Sequence, residues 1–73
     1  MIVINCPLQH DFIINTLAEL NDSIRYTFIR KEGMSLFFDV NTENIDQAIA
    51  LAKSRIKSTE IGNVLYFQVK EAK

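Results

Sequence analysis

The stretch Ile24-Arg25-Tyr26-Thr27-Phe28-Ile29-Arg30-Lys31-Glu32-Gly33-Met34-Ser35-Leu36-Phe37-Phe38-Asp39-Val40 decides how this chain folds. Two β-branched and aromatic runs flank the polar triplet Lys31-Glu32-Gly33, which reads as a β-hairpin turning at that triplet. With Gly33 in the left-handed position that closes a three-residue turn, Arg30 faces Met34. The register then pairs Phe28 with Leu36, Tyr26 with Phe38 and Ile24 with Val40, so six apolar residues share one face. The other face pairs Arg25 with Asp39, Thr27 with Phe37 and Ile29 with Ser35. A two-residue turn at Glu32-Gly33 would slide the register by one and leave Arg25 among the core residues, so the first register is preferred.

Working outward toward the N-terminus, Met1 to Asn5 is a short β-branched run with Ile2 and Ile4 on one face and Val3 on the other, which predicts a buried strand. Pro7 suits the first position of a helix, where its missing N–H would have no partner. Leu8, Phe12, Thr16 or Leu17, and Leu20 form that helix's apolar stripe, and Asn21-Asp22-Ser23 ends it with a reversal. Beyond the hairpin, Asn41-Thr42 is expected to start a second helix running to about Lys57. Its apolar stripe is Ile45, Ala48, Ile49, Ala52 and Ile56, with Lys53, Arg55 and Lys57 in the C-terminal turns. Thr59-Glu60-Ile61-Gly62 reads as an exit loop. Val64 to Val69 reads as a last strand, with Leu65, Phe67 and Val69 inward.

The order is thus β-α-β-β-α-β. With right-handed crossovers it resembles the ferredoxin-like α+β sandwich, a four-stranded antiparallel sheet in the order 4-1-3-2 with two helices on one face. The 73 residues, 48% hydrophobic and 23% charged, describe a single domain over positions 1–73. A chain of this size buries only about 60% of its unfolded surface, so association would add to a narrow stability margin. The net charge of -1 argues against a general nucleic-acid binder. One cysteine excludes an internal disulfide, and no leader or long apolar run is evident, so a cytoplasmic location without membrane insertion is expected.

The candidate chemistry is sparse. Cys6-Pro7-Leu8-Gln9-His10 sits where a helix N-terminus could activate a thiol. It resembles in part the Cys-x-x-Cys loop of metal-carrier domains of this fold and the Cys-Pro-x-Pro start of TusA-like sulfur carriers. Gln9 stands at the last position of both patterns. Cys6 and His10 supply two metal donors where zinc takes about three or four. Glu32 to Phe38 resembles the aromatic motif of RNA-recognition domains through Gly33 and Phe37, with Val3 at the aromatic place of the first strand. Small-ligand sensing domains of the ACT type share the topology, which keeps a small molecule among the possible partners. No carboxylate pair, Ser/His/Asp set or phosphate-binding glycine loop is present, so neither catalysis nor a cofactor is expected.

What remains is the open face of the sheet. By alternation it should carry Val3, Ile29, Phe37, Val64 and Tyr66 as a continuous apolar stripe, which marks an interaction surface. The sequence therefore predicts a non-catalytic interaction or regulatory module that forms a homodimer, or binds a protein partner, through that face.

Overall fold

The computed structural model describes residues 1–20 and 24–72; the reversal expected at positions 21–23 lies outside them. The hairpin is present, as β2 (Tyr26–Glu32) and β3 (Ser35–Val40), but its turn is Gly33-Met34. Gly33 has φ 61° and is the only one of the two with a positive φ. A glycine at the first central position is what a two-residue II′ turn requires, and the twist of that turn matches the strands, so it displaces the three-residue turn expected from the sequence. The register runs Tyr26↔Val40, Thr27↔Asp39 and Phe28↔Phe38, then shifts across Ile29 to Arg30↔Phe37, Lys31↔Leu36 and Glu32↔Ser35.

Before the shift, every pair differs from expectation by two residues. An even slip preserves facing, so Tyr26, Phe38 and Val40 still point to the core side. The consequences fall on the partners. Phe28 meets Phe38 edge to face, centroids 5.6 Å apart, instead of Leu36. Asp39 lies opposite Thr27 and not Arg25. Arg25 precedes the ladder, and its backbone N–H donates to Asn41 Oδ1 at 2.8 Å.

β1 (Ile2–Asn5) lies between β3 and β4 (Gln68–Glu71), giving an antiparallel sheet ordered β2-β3-β1-β4, the expected 4-1-3-2 order seen from the other edge. β4 starts four residues later than the sequence suggested. Its partner sets the limit: β1 pairs Asn5 with Gln68, and the chain beyond Asn5 leaves the sheet through Cys6-Pro7, so Tyr66 and Phe67 have no strand to pair with. Leu65 and Phe67 nevertheless keep the predicted inward facing, packed against the core that Val69 enters.

Three helices occur among the described residues, not two: α1 (His10–Ala18), α2 (Ile45–Lys57) and the short α3 (Glu60–Val64). α1 starts three residues after Pro7, with Gln9 at the N-cap position in the left-handed region at φ 63° and no side-chain capping hydrogen bond. Of the expected stripe, Leu17 is buried and Phe12 and Leu20 pack against the core, joined by buried Ile13, whereas Leu8 precedes the helix and is exposed. α2 begins after Asn44, whose side chain accepts from the Gln47 N–H at 3.1 Å, and ends at Lys57 as expected. Ala48, Ala52 and Ile56 are fully buried in the core with Ile2, Ile4, Leu36 and Phe38. The small alanines bring helix and sheet close enough for the Tyr26 hydroxyl to donate to the Ala48 carbonyl at 2.6 Å.

The expected exit loop at Thr59 to Gly62 is the start of α3. Thr59 Oγ1 accepts from the Gly62 N–H at 2.9 Å and donates to the Ile56 carbonyl at 2.7 Å, which folds α3 tightly back on the end of α2. A Cβ on Gly62 would lie 1.7 Å from the Ile56 carbonyl oxygen. Gly62→Ala is therefore expected to cost about 3 kcal/mol through a forced shift of that corner. Gly33→Ala meets no steric obstacle and is expected to cost about 1 kcal/mol from its backbone conformation alone. Urea unfolding of the two variants checks the order; an equal cost would show that α3 does not dock in this way.

Candidate functional site: the open face of the sheet

The core residues from α1 and α2 all meet one side of the sheet, and among the described residues the other side carries no helical core residue. Alternation assigns that second side. Ile2 and Ile4 are in the core, so Val3 and Asn5 face away from it; the ladders then place two rows across the face. One row is Glu32, Ser35, Asn5 and Gln68, in which Ser35 Oγ donates to Asn5 Oδ1 at 2.5 Å. The next is Arg30, Phe37, Val3 and Lys70. Thr27 and Asp39 follow beyond it.

The second row is the centre of the face. Phe37 is half-buried, and the Arg30 guanidinium lies over its ring, 4.3 Å from the centroid. That contact is a cation–π interaction in which the arginine covers the aromatic while its charge stays in water. Arg30 also pairs with Glu32, two residues along the same strand and on the same face; both are exposed, so the pair contributes little to stability. Val3, on the inner strand β1, is only 5% exposed. Its neighbours Phe37 and Lys70 flank it in the two ladders. Ile29, the bulged residue, is 45% exposed and follows Phe28 on the opposite side of the strand.

The five residues expected on this face are thus only partly brought together. Val3, Phe37 and Ile29 belong to it. Tyr66 lies in the connection before β4, 72% exposed, and reaches the rim, where Gln68 Nε2 donates to its hydroxyl at 3.2 Å. Val64 ends α3 and is away from the sheet, 84% exposed. Two basic residues of the central row escaped the sequence reading. Arg30 was expected on the core side, and the bulge at Ile29 returns it to the open face. Lys70 follows from continuing the alternation of Val69 by one residue past the expected strand end.

Cys6 and His10 are each engaged with backbone. Cys6 is fully buried, its Sγ donating to the Leu8 carbonyl at 2.8 Å, while its backbone N–H donates to the Met34 carbonyl at 3.0 Å. His10 Nε2 is hydrogen-bonded to the Cys6 carbonyl, which directs the ring to backbone and away from the thiol. With α1 starting at His10, the thiol lies outside the first turn, where a helix N-terminus would act on it. No group of three or more His, Cys, Asp or Glu side chains that could hold a metal occurs among the described residues. Nor does any described helix have the length and apolarity to cross a membrane.

Comparison with protein-family models, with curated proteins and with solved structures gives no match to this chain.

Burial of Cys6 predicts that a thiol reagent such as Ellman's reagent reacts slowly with the folded protein and completely once it is unfolded in urea. Full reaction of the native protein within the mixing time would place the thiol at the surface.

Proposed function

We propose that this chain is a non-catalytic cytoplasmic interaction or regulatory module on a ferredoxin-like frame, acting through the open face of its sheet by pairing with a second copy. The observation that carries the reading is the central row, in which half-buried Phe37 lies beside Val3 at mid-sheet and cations stand at both ends. Such a face has an apolar middle and a charged margin, the arrangement of an interface. The margin holds both signs, with Arg30 and Lys70 against Glu32 and Asp39, so a two-fold axis through the middle can set opposite charges across from one another. Burial of Phe37, Ile29 and the Tyr66 ring, each contributing up to roughly 1.5–3 kcal/mol, offsets an association cost of at least ~4 kcal/mol.

Phe37→Glu places a carboxylate at the centre of that interface and is expected to abolish dimer formation. Val64→Glu, on an exposed residue off the sheet, is expected to leave it unchanged. Light scattering over a concentration series reads both. A wild type that remains monomeric at high micromolar concentration, or a Phe37→Glu protein that dimerises as well as wild type, overturns the proposal.

A further inference from the structure

Away from the open face, β4 forms one edge of the sheet, paired with β1 alone, so alternate backbone N–H and C=O groups on its outer side have no partner strand. Alongside it runs a groove of about 310 Å³ between α2 and β4, lined by Lys53, Lys57, Phe67, Gln68, Val69 and Lys70. Three of these six are lysines and none is acidic. Among the described residues the one ion pair is Arg30 with Glu32, so the three ammonium groups have no carboxylate partner there. Half-buried Phe67 and buried Val69 give the groove an apolar strip between the charges.

We propose that this edge is a docking site for an acidic extended peptide segment of another protein, which adds a fifth strand beside β4. The backbone of β4 supplies the pairing, as in other cases of strand addition. The lysines select the partner: carboxylates on the helix-side face of the incoming strand meet Lys53 and Lys57 from α2. The helix lysines disfavour the obvious alternative. Two copies of this chain pairing β4 to β4 would bring Lys53 and Lys57 of both toward one seam, and like charges oppose such pairing. The site shares Lys70 with the margin of the sheet-face dimer, but Lys53 and Lys57 on α2 lie outside that margin, so the docking does not depend on the dimer.

The test uses the full chain and a fluorescently labelled peptide of alternating glutamate and valine, read by anisotropy. Saturable binding is expected, weakened by salt. The double variant Lys53→Glu, Lys57→Glu should reduce the affinity about tenfold or more. Both lysines are exposed, so the variant is expected to fold, which its circular dichroism verifies. A peptide with the same side chains but N-methylated at alternate residues, unable to pair with a strand edge, should not bind. Equal binding of the N-methylated peptide, displacement by inorganic phosphate at concentrations that merely occupy an anion site, or no binding at all would overturn the proposal. So would a wild-type dimer whose stability the double charge reversal changes, since that outcome assigns the edge to a second copy.

Discussion

The sheet is held together by four residues. β1 hydrogen-bonds β3 on one side and β4 on the other over Ile2–Asn5 only, and Cys6-Pro7 then carries the chain out of the ladder. Because β1 is central, its length limits the pairing available to β4, and it fixes where the connection from α3 can join the sheet. The exit is itself fastened by Cys6, whose N–H holds Met34 at the hairpin turn while its thiol holds the Leu8 carbonyl. Hairpin tip, strand end and the approach to α1 therefore meet at one buried cysteine. A strand two residues longer would have drawn Tyr66 and Phe67 into the sheet and left α1 a shorter approach.

Alternation made the facing of side chains legible before the structure. Ile2, Ile4, Tyr26, Phe38 and Val69 are in the core, and Leu65 and Phe67 lean on it, although turn, register and the start of β4 all differed from expectation. Facing survived because the period of a strand is two and the hairpin slip was even. Boundaries were less legible, since each depends on a contact that local sequence does not display. Thr59 to Gly62 has turn composition, yet the threonine caps a helix because the bare Gly62 Cα can sit on the Ile56 carbonyl. Pro7 is compatible with a helix start, yet the thiol and the His10 ring bind backbone within Cys6-Pro7-Leu8 and delay α1.

On the candidate face, strand facing was legible for residues of the inner strands and less so at the edges. Val3 and Phe37 are tied to the central ladders, whose register is held by the buried residues between them. Val64 and Tyr66 depended on a strand that begins later, and Arg30 on a bulge invisible to simple alternation. The two edges are guarded differently against unwanted pairing: β2 is irregular at Ile29, whereas β4 is regular, four residues long and bordered by lysines.

The bulge also bears on how the chain can change in length. With Ile29 removed, Phe28 would be followed directly by Arg30, Lys31 and Glu32, opposite Phe38, Phe37, Leu36 and Ser35 in an unbroken two-residue alternation. Ile29 is thus a residue in excess of the pattern, and its position is one where β2 can lose a single residue without turning any side chain to the wrong side of the sheet. One residue lost from the paired stretch of β3 has no such slack and would invert the facing of everything beyond it. Insertions and deletions among proteins descended from a common ancestor with this chain should therefore concentrate at the centre of β2, inside a strand, and not only at the hairpin tip where loop variation is ordinarily sought.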